Sequence, residues 1–348
     1  MPQLIVATTA TSSPMGAQVY QHEVASRISS VLPGWDVQHT VARSLRSDLP
    51  GDRRLPMGWL ASASPASRRA LGRLLYPANA VVHRMDLLLP PAPHRDVLTL
   101  HDVIAWKFAD EGSPVRAAMV EARRAAAVIC VSEFSAQEAV ELLGISPPRV
   151  VHNGVDARFV DAVPLTSERR AALGVAGPYV LHSGGASARK NLEGLAAAWP
   201  RVHSSRPDLT LVLSGPPHDR RTRLFAGLPG TLLVGRQPDA VMPALVAAAA
   251  AVVVPSLYEG FGLPALEAMA AGVPVVAVAR SSLPEVVGDA GVLVEPTPDG
   301  IAEGVLWAAS DDPAIDVLRT RGSRRAREFT WERCAEGHAA VWRQVASG

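Results

Sequence analysis

The chain has 348 residues, 48% of them hydrophobic and 19% charged, a core-building composition that excludes intrinsic disorder. That length exceeds what one hydrophobic core usually serves and points to two domains. Lys and Arg number 34 against 33 Asp and Glu, so the chain as a whole is no polycation for nucleic acid; two cysteines, Cys130 and Cys334, exclude a disulfide scaffold or Cys-rich zinc module.

In chain order, short apolar runs alternate with amphipathic stretches, the pattern of parallel sheets covered by helices. Met1 to Met15 has no basic residue ahead of Leu4-Ile5-Val6 and does not read as a secretory signal. Gln3-Thr8 reads as a first strand; a loop runs to Gly16, and Tyr20, Val24, Ile28 and Val31 at helical spacing follow. Asp36-Val41, Ala80-His83, Val97-Leu100, Val128-Val131 and Val150-His152 read as further strands of the first half. Tyr179-His182, Leu209-Ser214, Thr231-Val234, Ala251-Val254, Val273-Ala279 and Gly291-Val294 repeat the theme in the second. The Pro-, Thr-, Ser- and Gly-containing segment Asp161-Gly177 reads as the linker, and a last helix begins near Thr330-Trp331-Glu332. Ala240 to Tyr258 carries no charge over 19 residues, but Pro243, Pro255 and its alanines suit a buried helix entering a buried strand better than a membrane span. The simplest architecture is α/β: two doubly wound, Rossmann-like domains facing each other across a cleft. The expected domains are residues 1–162 and 163–330, with a C-terminal helix, residues 331–348, packing back on the first.

The most informative stretch runs from Pro255 through Glu259, Gly260-Phe261-Gly262-Leu263-Pro264 and Glu267 to Gly272. It reads as a strand, a glycine loop and a helix that opens at Pro264 and stops at Gly272. N–H groups of Gly262 and Leu263 at the positive helix end suit a phosphate. Glu259 and Glu267 beside that site are electrostatically odd unless they accept hydrogen bonds from hydroxyls, which sugars and ribose supply.

Here the sequence resembles the retaining, GT-B-fold family 4 glycosyltransferases, whose E-x(7)-E element is matched by Glu259 and Glu267. The resemblance implies that Glu259 approaches the transferred sugar and that Glu267 holds the ribose of a nucleotide-sugar donor. His182-Ser-Gly-Gly-Ala-Ser-Ala-Arg189-Lys190-Asn191 resembles the family's phosphate-binding segment, where fixed positive charge stabilises a departing diphosphate. The chain has only two lysines, Lys107 and Lys190, so a lysine kept here suggests that a compact ammonium is wanted. One departure matters: many members carry an arginine six residues before this lysine, where this chain has Gly184. Either Arg189 compensates or the backbone around Gly184 approaches the diphosphate. His101, at the end of a first-half strand, resembles a family histidine that contacts the donor sugar, and Gly16 a glycine that lets backbone approach the diphosphate. Gly235-Arg236 ends a strand where base contacts are expected.

The resemblance thins between Val41 and Ala80, where acceptors are expected to bind. Arg68, Arg69 and Arg73 beside Leu71, Leu74 and Leu75 predict a basic amphipathic helix that meets an anionic lipid or a phosphorylated acceptor. Gly260-x-Gly262-x-x-Ala265 formally fits a dinucleotide fingerprint, but too many residues separate it from the preceding strand. Ser187-x-x-Lys190 lacks the companion elements of a penicillin-recognising serine enzyme. No D-x-D motif occurs, which favours a metal-independent enzyme.

The expectation is a glycosyltransferase moving a hexose from a nucleoside-diphosphate sugar, GDP-mannose or a UDP-hexose, to a hydroxyl on a glycan, a lipid-linked glycan or a small molecule. It needs no cofactor or metal, binds no nucleic acid, and works in the cytoplasm or at the inner face of the membrane. The competing readings are a nucleotide-sugar epimerase on the same architecture and a non-catalytic glycan- or lipid-binding protein.

Overall fold

Near-continuous Val, Ile and Leu runs fold as strands buried on both faces, which is what all-parallel sheets require. The computed structural model describes residues 1–11 and 16–348. These divide into two units, Met1–Gly154 with Trp331–Gly348, and Val155–Thr330.

The first unit holds β1 (Gln3–Thr9), β2 (Asp36–Ser44), β3 (Arg53–Leu55), β4 (Val81–Arg84), β5 (Arg95–Leu100), β6 (Ala127–Cys130) and β7 (Arg149–Val150). Their order is β3-β2-β1-β4-β5-β6-β7, every pairing parallel, with Leu4 opposite Val37 on one side and Val81 on the other. The strand order reverses between β1 and β4, the switch point where such sheets open a crevice at their carboxyl ends.

The terminal helix Trp331–Ser347 belongs to this unit. Its Trp331, Cys334, Ala335, His338, Ala339, Val341, Trp342 and Val345 are buried at helical spacing. A buried hydrogen-bond chain fastens it to the sheet. The Trp342 indole donates to His83 Nδ1 (3.3 Å), and His83 Nε2 donates to Thr99 Oγ1 (2.7 Å). The Cys334 carbonyl accepts from His338 Nδ1 (2.7 Å), so His338 Nε2 accepts from the Tyr20 hydroxyl (2.5 Å). Thr99 then donates to Tyr20 (2.8 Å). An indole only donates and a carbonyl only accepts, and burial keeps both histidines neutral, so every direction follows.

Helix Pro65–Leu75 corrects one prediction. Arg68 lies on its buried face with Leu71, Gly72 and Leu75, and is 0% exposed. Its guanidinium meets Glu121 through Nε (2.6 Å) and Nη2 (3.0 Å) and also donates to the carbonyls of Leu60, Leu87, Leu88 and Leu89. Arg84 pairs with Asp96 (2.7 Å) and with Glu121 (3.1 Å), so two cations and two carboxylates neutralise one another out of water. Arg68 is therefore no surface contact. Arg69 is partly buried, Arg73 is exposed, and Leu74 is 84% exposed on the outward face.

The second unit holds β8 (Tyr179–Ser183), β9 (Thr210–Ser214), β10 (Thr231–Gly235), β11 (Ala251–Val254), β12 (Val275–Val278) and β13 (Val292–Val294), in the order β10-β9-β8-β11-β12-β13, all parallel. Helices Leu192–Ser205 and Pro298–Ala308 bury Leu195, Trp199, Val202, Ile301 and Val305 against Val180, Leu211, Leu213, Val253 and Val276. The expected linker is not one. Asp161-Gly177 contains helix Ser167–Ala172, and Leu165 N donates to Ala244 O at 3.1 Å. Residues 155–162 also belong to this unit, because Val155 bridges to Thr330 and donates to Phe329 O at 3.0 Å. Among the described residues no helix is long and apolar enough to cross a membrane; residues 240–258 hold helix Met242–Ala247 and β11.

Candidate active site

In an all-parallel sheet every strand points the same way, so the loops after the strands gather at one edge. In the second unit the order reverses between β8 and β11, and the loops after these two strands flank the switch point. Lys190 comes from the first loop and Glu259 from the second. Lys190 Nζ lies 2.6 Å from Glu259 Oε1, and Arg189 Nη1 lies 3.1 Å from Oε2. Burial pushes the Glu259 carboxyl up, but the two cations outweigh it and hold the group down at about 2.

The backbone keeps both loops in place. After a single turn, Ala188–Lys190, Asn191 takes a left-handed conformation (φ 51°) and caps helix Leu192–Ser205 by accepting from Gly194 N at 3.3 Å. Its Nδ2 donates to Pro255 O (3.0 Å), and Leu257 N donates to Arg189 O (2.8 Å), tying the two loops together. Glu259 N donates to Ser281 Oγ and Ser282 Oγ donates to Glu259 O, both at 2.9 Å. Ser281 itself sits at φ 54°, a strained position for a serine.

Gly262 starts helix Leu263–Ala270 at φ 101°, a backbone conformation that favours glycine, and a Cβ there would also crowd the Leu283 Cδ2 methyl at 2.8 Å. No acceptor among the described residues takes the N–H of Gly262 or Leu263, which leaves a positive helix end open to an anion. Glu267, one turn further, is partly buried. Burial first and the nearby Asp156 next raise its carboxyl to about 7, with Arg158 opposing and Asp239 adding. Gly260 is partly buried beside Glu259, and Phe261 packs edge-on against Phe329, ring centroids 5.7 Å apart. Arg236 is exposed just past the end of β10. Gly184 has ordinary backbone geometry, with His182 Nε2 and Lys190 Cε 3.8 and 3.9 Å from where its Cβ would stand.

His101 and Gly16 belong to the first unit. His101 follows β5, its ring edge-on to Tyr20 at 4.6 Å and its Nε2 buried without a partner. Burial, with His338 adding, lowers it to about 4, so it is a neutral hydrogen-bonding group at physiological pH. Gly16 is the first residue of helix Gly16–Val31; most of the loop expected before it, residues 12–15, lies outside the described residues.

Arg189, Lys190 and Glu259 thus meet directly, and Gly262, Leu263 and Glu267 follow on the same loop and helix. Sequence reasoning missed Asn191, Ser281 and Ser282 as supports and Asp156 and Arg158 as neighbours of Glu267. Asn191, between a basic pair and an apolar helix, was the one with a readable signal, since asparagine both caps helices and tolerates positive φ. Among the described residues no group of three or more His, Cys, Asp or Glu side chains could hold a metal ion.

Residues 177–311 match the family model for glycosyl transferases group 1, and residues 14–159 that for glycosyltransferase family 4. The chain is 33% identical over 283 residues to O-antigen chain mannosyltransferase B of Escherichia coli, covering 73% of this chain and 71% of that protein. The chain belongs to the family 4 glycosyltransferases. Solved structures agree on the GT-B fold of this glycosyltransferase. Sucrose-phosphate synthase of Thermosynechococcus elongatus superposes with a TM-score of 0.77 at 20% identity, covering 99% of both chains. Anabaena HepE in complex with UDP-glucose does so at 0.72 and 21% identity, over 99% of this chain and 98% of that one.

Proposed function

We propose that this glycosyltransferase moves a hexose from a nucleoside-diphosphate sugar to an acceptor hydroxyl, with retention of anomeric configuration and without a metal ion. The observation that carries the reading is the Lys190–Glu259–Arg189 cluster at the switch point, beside the open N–H groups of Gly262 and Leu263. Lys190, Arg189 and those amides receive the diphosphate and stabilise the charge that develops as it leaves. The Glu267 carboxylate accepts from the ribose hydroxyls, and Arg236 lies toward the base. Glu259, ionised at all physiological pH, accepts from the transferred sugar's hydroxyls and stabilises positive charge at the anomeric carbon. His101 orients the sugar as a neutral group, and Gly16 approaches the diphosphate, both by family resemblance.

A carboxylate held at about 2 is no base for the acceptor, and a histidine at about 4 is a poor one. The acceptor proton therefore goes to the departing phosphate oxygen. The acceptor oxygen bonds to the anomeric carbon, the carbon–phosphate-oxygen bond breaks, and a nucleoside diphosphate leaves carrying the proton.

GDP-mannose is the preferred donor, since the Escherichia coli relative is a mannosyltransferase by name; a UDP-hexose is second, on the UDP-glucose complex of HepE. We further place the protein in the cytoplasm, at the inner membrane face, with Arg73, Arg69 and exposed Leu74 meeting anionic lipid. The test is nucleoside diphosphate release from GDP-mannose and UDP-glucose, with and without sugar and lipid acceptors and in EDTA, with the product anomer read by NMR. Acceptor-dependent release with retention supports the reading. Donor conversion without acceptor indicates an epimerase, and no turnover of any donor a non-catalytic binder.

A further inference from the structure

Arg221, on helix Asp219–Phe225, is 2% exposed, and no carboxylate pairs with it among the described residues. Its Nη1 donates to Pro216 O at 2.8 Å, its Nη2 donates to Gly184 O and, at 2.9 Å, to Gly185 O, and its Nε has no partner. A buried guanidinium without a counter-ion is costly to keep, so something outside the chain is expected to repay it. Gly215 makes room for it. A Cβ there would stand 2.0 Å from Gly184 O and within 2.9 Å of both Nη atoms, and its φ is 147°.

The contacts aim the loop after β8. In a trans peptide the C=O and N–H point in opposite directions. Drawing the carbonyls of Gly184 and Gly185 onto Arg221 turns the N–H groups of Gly185 and Ala186 away from it. No acceptor among the described residues takes either N–H. A second buried group beside this loop also lacks its partner. His182, 2% exposed, donates through Nδ1 to Val253 O (3.2 Å), so its unpartnered Nε2 presents a lone pair. That nitrogen borders the space a side chain at Gly184 would fill, with Lys190 Cε on another side. Two amides and a buried cation ask for anionic oxygens; the imidazole lone pair asks for a hydroxyl. A sugar diphosphate ester supplies both.

We propose that Arg221 is a positioning residue for the leaving diphosphate, holding the Gly184–Ala186 loop so that the Gly185 and Ala186 amides receive phosphate oxygens, while His182 accepts from a donor hydroxyl. Arg221 also brings to this loop the positive charge that Gly184 lacks. The inference rests on the donor reading above.

The test is calorimetric titration of wild type, Arg221→Met and Arg221→Lys with GDP-mannose, UDP-glucose, guanosine and uridine, joined to amide hydrogen exchange of the wild type. Arg221→Met is expected to weaken the nucleotide sugar at least tenfold and leave the nucleoside unchanged, with Arg221→Lys recovering part of the loss. Donor is expected to protect the Gly185 and Ala186 amides, a result that stands even if the methionine variant does not fold. Unchanged donor affinity in Arg221→Met, or unprotected amides in a donor-saturated wild type, overturns the inference and leaves the donor reading standing. No nucleotide-sugar binding by wild type overturns both.

Discussion

Glu259 and Glu267 are eight residues apart in the chain, yet their surroundings drive them in opposite directions. The first is beside two cations and stays ionised; the second is desolvated near Asp156 and Asp239 and titrates about neutrality. Ribose hydroxyls donate to a carboxylate, so donor binding favours the ionised form of Glu267. Affinity for a nucleotide sugar, whose diphosphate has no proton titrating near 7, is therefore expected to rise between pH 6 and pH 8 with a midpoint near 7. Calorimetry across that range checks it, and Glu267→Gln is expected to bind more weakly and without the pH dependence. A pH-independent wild type would remove Glu267 from the ribose. These two acids were legible because they share one contiguous strand–loop–helix segment. Arg221 and Ser281 were not, because what makes them matter is a carbonyl or an amide supplied by a different strand's loop.

In helix Pro65–Leu75 the grouping of residues follows from their spacing, but the burial of Arg68 does not. Helical spacing correctly groups Arg68 with Leu71 and Leu75, but spacing says nothing about a counter-charge 53 residues away on Glu121. The charge pattern alone therefore reads as a basic outer face, while the fold buries that arginine. Glu121→Ala is expected to leave Arg68 and part of Arg84 unpaired out of water and to destabilise the protein by about 3–5 kcal/mol, measured by denaturant unfolding. Arg73→Ala, on the exposed face, is expected to change stability by less than about 0.5 kcal/mol. β3 escaped prediction because Arg-Arg-Leu has neither alternation nor length, whereas the buried strands of both sheets read directly from their Val and Ile runs.

Over the whole molecule, both units keep histidines neutral and out of water. His101, His182 and His338 are lowered to about 4 and His83 is held well below its usual value, burial being the first cause in each. Unfolded histidine takes its proton near 6.5, so the stability tied to these groups is complete above that pH and is lost as pH falls toward 4. For a group lowered from 6.5 to about 4, as His182 and His338 are, the loss is on the order of 3 kcal/mol. Glu267 acts in the opposite sense over part of the range, but it is one group against four. Thermal unfolding is expected to show a steep fall in Tm between pH 6.5 and 4.5, softened in a His338→Gln variant that keeps a polar partner for Tyr20. A flat profile would contradict the neutral Tyr20–Thr99–His83–His338 chain.

In the proposed reaction the second unit binds a nucleotide-sugar diphosphate through Lys190 and its neighbours. The most direct test is calorimetric titration of GDP-mannose and UDP-glucose in EDTA into wild type and Lys190→Ala, with circular dichroism confirming that the variant is folded. Saturable binding of one donor by wild type, weakened tenfold or more in the folded variant, is the predicted result. Equal affinity in both proteins, or binding that appears only when a divalent metal is added, would contradict it.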